Sequence, residues 1–417
     1  MSRPNIKIDL PRLSGELELL ARLSDAEPPA VTRILFTEPD LQARAFFRGL
    51  FADAGLVVRE DPAGNLFARW IGSEPNWPAL GTGSHTDAIP FSGMYDGTVG
   101  VLGGLEAIRA LQRSGWKPRR SIELLLFTSE EPTRFGIGCI GSRLLSGSLS
   151  PESAAVLKDN IGATFDEVRR RAGCSGELSA VQLREGSYAA FVELHIEQGP
   201  LLEQEGIPIG AVTAIAAPAA LRVRLEGEGG HAGAVLMPQR KDALCAAAEI
   251  VLAVEKAARD SGRLDTVATT GICQVHPGAC NSIPSRVILE IDIRDTDLAA
   301  RDRAVELVRQ AVAQGAARRG LDAGVERINA DPPATADPAI VNAIQFACRE
   351  LNLACKMMVS RAYHDSLFMA RLCLTGMIFI PCRAGVSHRP DEYSSPDAIG
   401  RGVEVLALTL AELDRAE

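Results

Sequence analysis

The sequence predicts an α/β protein with a main domain and a smaller inserted domain. Three observations predict it: apolar strands alternate with helices early in the chain, polar side chains follow the ends of those strands, and period-two strands begin after residue 210. Strand–helix–strand order is typical of a mostly parallel sheet, in which ligands collect at the carboxyl ends of strands. A chain of 417 residues is also long enough for two domains.

The first part of the chain supplies the main domain. Apolar residues at helical spacing predict helices, whereas short alternating or wholly apolar runs predict strands. The predicted elements are helices over 10–23, 40–54 and 97–111, and strands over 56–59, 65–70, 79–85 and 121–127.

The pattern changes after Gly210. Strands with one apolar and one polar face then alternate with long helices, which predicts a two-layer α+β unit with one solvated sheet face. The predicted elements are strands over 221–226 and 285–294 and helices over 241–259 and 298–319, before the proline-rich end at 331–334. A helix from Pro338 and a buried strand at 377–381 then return to the main domain. We therefore predict one domain from residues 1–210 and 331–417, interrupted by a second over 211–330.

Composition and charge exclude several classes of protein. The net charge is −9 without a basic patch, which argues against nucleic acid as a partner. No apolar stretch reaches the roughly 18 residues of a membrane span, and the first ten residues lack a signal-peptide core. The nine cysteines are scattered without a CxxC pair, which predicts reduced, buried thiols and a cytoplasmic location.

The first candidate ligands follow the strand at 79–85. His85 and Asp87 lie at i and i+2, so a strand would place both side chains on one face, where Asp87 could accept the second ring N–H of His85. Asp96 precedes Gly97 at the start of a helix, where it is either an N-cap or a ligand.

The remaining candidates come from distant parts of the chain. Glu130 and Glu131 close an apolar strand, which is costly unless a cation neutralises them; one could bind a metal while its neighbour carries a proton. His195 lies among acidic residues, and His388 lies near the C-terminus. Imidazoles, a carboxylate able to bridge and a spare carboxylate are an inventory for two divalent metals and metal-assisted hydrolysis.

These segments match, in order, the motifs of a known family. The chain resembles the M20-type amidase/hydantoinase/carbamoylase enzymes over essentially its whole length. The motifs are HTD at 85–87, YDG at 95–97, EE at 130–131, HIEQG at 195–199, GGHAG at 229–233 and SH at 387–388.

One branch of the family is the most similar. The segments around residues 87–90, 126–136 and 377–382 look most like those of ureidoglycolate amidohydrolases. Arg361 and Tyr363 stand where relatives usually carry small residues before the His-Asp pair. Their bulk and hydroxyl donor suit a small, hydroxylated substrate and argue against allantoate.

The resemblance implies a metal-dependent exopeptidase-like catalytic domain with an inserted lid or dimerisation domain, in a homodimer. It also implies ligand roles: His85, Asp96 and His195 hold one divalent ion, and Asp96, Glu131 and His388 hold the other. Asp87 accepts the ring N–H of His85 that does not face the metal, and so orients that ligand. Glu130 is then the general base. Manganese is usual in this branch, although oxygen and nitrogen ligands also accommodate Zn²⁺, Co²⁺ or Ni²⁺.

The expected substrate is a small ureido compound, (S)-ureidoglycolate, cleaved to glyoxylate, ammonia and carbon dioxide. His231 is the expected oxyanion donor, contributed by the partner subunit. Arg294 offers a fork for the substrate carboxylate, unless it pairs with Asp292 or Asp295. Asn281 is a further donor. The other expected pocket residues are Gln198, Tyr363 and His364.

Two other activities in the family remain open: N-carbamoyl-L-amino-acid hydrolysis and allantoate hydrolysis. A third reading, from a different class, is a family member that has lost catalysis and serves as a binding module. The complete ligand set and the presence of Glu130 argue against that reading.

Overall fold

A computed structural model describes residues 4–415 as two units, each with its own sheet. The α/β class predicted from the sequence is confirmed. The first unit comprises the chain up to Thr213, Thr335–Ser360 and the chain from His364; the second comprises Ala214–Ala334 and Arg361–Tyr363. The expected domain bounds at 210/211 and 330/331 lie a few residues from these, and the sequence pattern did not indicate that residues 361–363 group with the second unit.

Helices and strands alternate along most of the chain. The part before the second unit holds α1 (Leu10–Ala21), β1 (Val31–Arg33), α2 (Glu38–Asp53), β2 (Val57–Glu60), β3 (Leu66–Trp70), β4 (Ala79–Ser84), β5 (Ala88–Ser92), α3 (Thr98–Arg113), β6 (Ile122–Leu126), α4 (Ile140–Leu145), α5 (Pro151–Ala155), α6 (Phe165–Arg171), β7 (Tyr188–Ile196), α7 (Leu201–Glu205) and β8 (Ile209–Ile215). Next come β9 (Ala217–Glu226), β10 (Gly230–His231), α8 (Ala243–Arg259), β11 (Val267–His276), β12 (Ser282–Ile283), β13 (Arg286–Asp295), α9 (Leu298–Arg319) and β14 (Asp322–Ala330). The last part holds β15 (Ala334–Thr335), α10 (Pro338–Glu350), β16 (Cys355–Ser360), α11 (Ser366–Met369), β17 (Leu374–Ile380) and α12 (Pro396–Leu413).

The large sheet has a parallel centre. Its strand order is β15-β8-β17-β7-β4-β6-β3-β2, with β16 paired to β8 outside this path. Neighbours from β17 through β7 and β4 to β6 run parallel, whereas β3 joins β6 antiparallel and β2 joins β3 antiparallel. Every residue of β4 and β6 is buried, because helices cover both faces of the sheet centre.

The two faces of this sheet contribute to separate cores. On β6, Leu124 and Leu126 point into a core shared with α3, α10 and α12. The alternate residues Leu125 and Phe127 point into a second core, built with residues of α4, α5 and α6. This layering buries the strands and leaves their carboxyl ends as the place where polar groups can gather.

The second unit has a four-stranded antiparallel sheet in the order β11-β13-β9-β14. Alternate residues of β9 and β13 are buried in a core with α8 and α9; for example, Leu225 lies opposite Val287. Capping residues fix both ends of α9. Asp297 caps the first turn by accepting from the Ala300 N–H at 2.8 Å, and Gly320 ends the helix in the left-handed conformation.

The nine cysteines are free thiols, but their burial differs from the prediction. Cys139, Cys174, Cys348 and Cys382 are buried, whereas Cys245, Cys273 and Cys280 are exposed and the other two are half-buried. The three exposed thiols lie in the second unit, where α8, β11 and the loop before β12 present them to solvent.

Within residues 4–415, no helix is both long enough and apolar enough to span a bilayer.

Candidate active site

Three histidines converge on Asp96, which is only 6% exposed. Its Oδ1 lies 3.1 Å from Nε2 of His195 and 3.6 Å from Nε2 of His85. Its other oxygen, Oδ2, lies 3.1 Å from Nε2 of His388, and that ring nitrogen is also 3.2 Å from Oε1 of Glu131. The two oxygens of one carboxylate therefore face two different sets of groups.

These sets are compact enough to hold metal ions. The ligand atoms of His85, Asp96 and His195 lie within 4.8 Å of one another, and so do those of Asp96, Glu131 and His388. Asp96 belongs to both groups. The grouping is the one that the sequence resemblance implied for two metals, and metal binding by these residues remains a proposal.

The fold explains why residues so distant in sequence meet. His85 and the Glu130–Glu131 pair follow β4 and β6, and His195 lies near the end of β7; these strands are parallel neighbours. Their carboxyl ends therefore lie at one edge of the sheet. Asp96 comes just before α3, and His388 comes from the loop after β17, the next parallel strand.

The ring tautomers direct the ligand nitrogens. Nδ1 of His195 lies 2.8 Å from the Ile196 carbonyl, and Nδ1 of His85 lies 3.0 Å from the Asp87 carbonyl. Because Nδ1 donates in each neutral ring, the Nε2 lone pair points at the Asp96 carboxylate. A lone pair that faces an anionic oxygen at this distance is repulsive unless a proton or a metal ion lies between the two atoms. The donor set thus fits divalent metal ions.

The electrostatics agree with this reading. Burial lowers the pKa of His195, but its hydrogen bond to Asp96 and the Asp96 charge raise the pKa above its ordinary value. Hydrogen bonds to Asp96 and Glu131 raise the pKa of His388 to about 11. Burial also raises the pKa of Glu130 well above its usual range, against the opposing charge of His85. The cluster therefore stabilises added positive charge.

Gly97 has a steric reason to be glycine. Its φ is +64°, and a Cβ built there would lie 2.4 Å from Nε2 of His85. Any other residue would both strain the backbone and displace the ring. Gly97 is also the N-cap of α3, and no side chain caps this helix. The carboxylate of Asp96 is therefore not a helix cap, which removes the simpler of the two sequence-based interpretations.

The interaction of Asp87 differs from the prediction. Nδ1 of His85 contacts the Asp87 backbone carbonyl, whereas the Asp87 carboxylate lies 3.7 Å away. That carboxylate instead accepts from the backbone N–H groups of Glu130 at 3.3 Å and Glu131 at 3.0 Å. The expected geometry fails because β4 ends at Ser84, so residues 85–87 no longer follow strand alternation. Asp87 holds the two glutamates in place.

Two supporting residues carry no assignment from sequence. Glu392 is buried, and its Oε1 accepts from the backbone N–H groups of Tyr95 at 2.9 Å and Asp96 at 3.0 Å. Its Oε2 accepts from Ser387, whose hydroxyl lies 3.0 Å from Oδ2 of Asp96. Glu392 thus ties the loop of His388 to the loop of Asp96. In the sequence, Glu392 is marked only by being an acidic residue four positions after His388.

Gln198 and His364 lie in the first unit, as parts of the same cluster. The Gln198 amide donates to Oδ2 of Asp96 at 2.8 Å, so in this structure it contacts the shared carboxylate. His364 is 1% exposed; its Nε2 lies 2.9 Å from the Ser360 hydroxyl, and its ring packs 4.6 Å from that of His195. Substrate binding by either residue stays a prediction.

The second unit holds the other four predicted residues, which are Arg294, Tyr363, His231 and Asn281. Arg294 donates to Asp292 at 2.7 Å, which is the ion pair that the sequence left open as an alternative, and to the Arg361 carbonyl at 3.2 Å. The Tyr363 hydroxyl donates to Asp331 at 3.0 Å. These contacts show where the groups lie, and their roles toward substrate stay predictions.

His231 and Asn281 are neighbours on an exposed part of the second unit. Short strands β10 and β12 pair, and the Ala232 N–H donates to the Asn281 carbonyl at 2.9 Å. The Gly233 N–H donates to Nδ1 of His231 at 3.1 Å, so the neutral ring carries its proton on Nε2. His231 therefore has a donor available, as an oxyanion-binding role requires.

Comparison with known proteins places this arrangement in a family. The chain is 55% identical over 418 residues to ureidoglycolate hydrolase of Arabidopsis thaliana, covering 98% of this chain and 87% of that protein. Crystal structures of AtUAH in complex with glyoxylate and with (S)-hydroxyglycine each match with a TM-score of 0.92 and 54% identity, covering 99% of both chains. The profile of peptidase family M20/M25/M40 matches residues 81–412. The chain therefore belongs to peptidase family M20/M25/M40, a metal-dependent family of hydrolases.

Proposed function

We propose that the protein hydrolyses (S)-ureidoglycolate to glyoxylate, ammonia and carbon dioxide. The observation that carries the proposal is similarity over nearly the whole chain to a ureidoglycolate hydrolase and to AtUAH, whose structures contain glyoxylate and (S)-hydroxyglycine. Those two molecules are the two-carbon fragments that remain once the ureido carbon has left. The carboxylates and imidazoles gathered around Asp96 are the groups that we assign to this hydrolysis.

We assign two divalent metals, manganese in preference to zinc, cobalt or nickel, to the two groups that share Asp96. His85 and His195 complete the first group, and Glu131 and His388 complete the second. When bound, such ions lower the pKa of a water molecule and polarise a carbonyl. The chain itself supplies the ligand geometry, through the histidine tautomers and the Asp96 position.

Glu130 is the proposed proton carrier. It is buried beside Glu131, and its Oε2 lies 3.7 Å from Nε2 of His85. Glu130 takes a proton from water as the water oxygen bonds to the ureido carbon, and it gives that proton to the terminal nitrogen as the carbon–nitrogen bond breaks. Ammonia leaves. The carbamate that remains loses carbon dioxide to give (S)-hydroxyglycine, which loses a second ammonia to give glyoxylate.

The second unit is proposed to bind the rest of the substrate. His231 donates to the developing oxyanion, and Asn281 donates to a ureido or carboxylate oxygen. Arg294 binds the substrate carboxylate through its planar fork. Because Asp292 already accepts from two nitrogens of Arg294, the substrate carboxylate must compete with Asp292. Tyr363, Gln198 and His364 complete the proposed substrate contacts.

A substrate panel tests the proposed activity. Purified, manganese-loaded protein receives ureidoglycolate, allantoate or an N-carbamoyl-L-amino acid, and ammonia release is measured. We expect two equivalents of ammonia from ureidoglycolate, and kcat/KM at least about 100-fold higher than for the others, because the proposal assigns to Arg361 and Tyr363 the exclusion of larger substrates. Glyoxylate is measured in parallel. Turnover of allantoate or a carbamoyl amino acid without turnover of ureidoglycolate contradicts the proposal.

We further propose a homodimer formed through the second unit, in which that unit of one subunit serves the metal site of its partner. An Arg294→Ala protein mixed with a Glu130→Gln protein should then recover about a quarter of native activity, since half of the dimers are hybrids with one intact site. Recovery is followed as subunits exchange, with differently tagged chains to measure that exchange.

A matched mixture controls for this result. Arg294→Ala mixed with His231→Ala places both defects in the second unit, so neither site of a hybrid is intact and no recovery is expected. If exchange is complete and the Arg294→Ala with Glu130→Gln mixture stays inactive, the shared site is wrong.

A further inference from the structure

A buried thiol lies against the proposed general base. Sγ of Cys139 donates to Oε1 of Glu130 at 3.7 Å, and Cys139 has no solvent exposure. Within residues 4–415, this thiol is the one side-chain donor that hydrogen-bonds to the Glu130 carboxylate. The other carboxylate oxygen, Oε2, faces Nε2 of His85. The two oxygens of Glu130 are therefore in different environments, one held by sulfur and the other directed at the metal ligands.

The backbone is shaped to place this thiol. After Glu131 the chain turns back, and the N–H of Cys139 donates to the carbonyl of Glu130 at 2.9 Å. A Cβ at Gly138 would lie 2.3 Å from that carbonyl oxygen, so only glycine permits the approach. Cys139 itself has φ +56°, a left-handed backbone conformation that residues other than glycine and asparagine seldom adopt. A strained residue is retained where the surrounding structure holds it, which is common near active sites.

The thiol must act as a donor. Burial and the charge of Glu130 raise the pKa of Cys139 well above its ordinary value, so the sulfur keeps its proton. A protonated thiol is a weak donor. It can therefore orient a carboxylate while lowering its basicity less than a hydroxyl would.

We propose that Cys139 is a positioning residue for the hydrolysis: its S–H holds Oε1 of Glu130 so that Oε2 faces the attacking water. This inference rests on the proposed function, because it requires Glu130 to be the general base. Without the thiol the carboxylate can rotate, and the fraction of time in which Oε2 is in line to accept the proton falls. Metal binding and substrate binding do not depend on this hydrogen bond.

The test compares Cys139→Ala and Cys139→Ser with the native enzyme. Removal of the donor in Cys139→Ala should lower kcat about three- to tenfold, the effect of one hydrogen bond, with KM and metal content unchanged. Cys139→Ser restores a donor and should recover most of that loss. A kcat equal to native in Cys139→Ala, a parallel loss of bound metal, or a serine variant no better than alanine would each overturn the proposal.

A matched control separates positioning from packing. Cys174 is also buried and donates to a carboxylate, Oε1 of Glu60 at 3.8 Å, away from the metal ligands. Cys174→Ala should therefore leave kcat unchanged. The double variant Cys139→Ala/Glu130→Gln should be no slower than Glu130→Gln alone, since the thiol acts only through Glu130. An additive loss in the double variant contradicts the proposal.

A spectroscopic measurement covers the case in which the Cys139 variants do not fold. In the infrared difference spectrum between native protein and Glu130→Gln, one S–H stretching band should shift to higher frequency, because the neutral amide is a weaker acceptor than the carboxylate. An unchanged S–H region overturns the inference. Should Glu130→Gln keep native activity, the proposed role of Glu130 fails as well, and the two failures are thereby distinguished.

Discussion

Glu130→Gln should lower kcat by about 1,000-fold, which is within the range that proton transfer by a positioned side chain contributes. Glutamine keeps the shape of the side chain but cannot accept a proton from water or return it to the leaving nitrogen. The ligand groups do not include Glu130, so metal content should stay at the native value. Steady-state kinetics and elemental analysis of the same preparation measure both quantities.

The control is a buried glutamate outside the metal site. Glu16 is 8% exposed, as Glu130 is, and it pairs with Arg109 at 2.8 Å. Glu16→Gln should lower the thermal stability because it weakens a buried ion pair, whereas kcat should stay native. Glu130→Gln should instead lower kcat and raise the thermal stability, because the Glu130 carboxylate lies near Glu131 and Asp96 and its removal relieves repulsion. A Glu130→Gln enzyme with native kcat would show that another group moves the proton.

Asp96→Asn should abolish both metal binding and activity, by at least about 10,000-fold in kcat/KM. One asparagine oxygen cannot serve two groups, and its NH₂ would face a histidine lone pair on one side. The replacement also removes the negative charge that three histidines share. Elemental analysis after extensive dialysis should show fewer than one metal per chain, and added Mn²⁺ should not restore turnover.

Asp61→Asn is the matched control for that experiment. Asp61 is also a buried carboxylate, and it accepts from the backbone N–H of Ala63 and from both the backbone and side chain of Asn65. Its replacement should affect stability and leave metal content unchanged. Two metals per chain together with native turnover in Asp96→Asn would contradict the assignment of Asp96 as the shared ligand.

The sequence predicted elements best where local signals were strong. Helix α9 has the predicted bounds because Asp297 caps it and Gly320 ends it. The strands β11 and β14 were not predicted: both lie at the edges of their sheet, and most of their residues are exposed, so neither carries a clear apolar alternation. Edge strands are specified by the neighbour that they pair with, which a local pattern does not contain.

The site was predictable to the extent that its residues form motifs. Asp96, Glu131 and the histidines lie in short segments whose chemistry is readable. Glu392 is different, because its partner N–H groups lie on residues about 296 positions earlier in the chain. The thiol contact of Cys139 depends on a left-handed backbone that no local residue pattern announces. Such supporting contacts arise from the tertiary fold and become visible only in three dimensions.

The C-terminal origin of His388 and Glu392 bears on how the enzyme matures during synthesis. A nascent chain that has not yet emerged beyond residue 386 contains every proposed ligand of one metal group, but it lacks a proposed histidine ligand of the other group and the acid that ties the two loops together. The parallel strand that leads to these residues must also dock beside β7 before they reach their places. On the proposed ligand set, we therefore expect a polypeptide that stops before residue 388 to be inactive even where its upstream portion has folded.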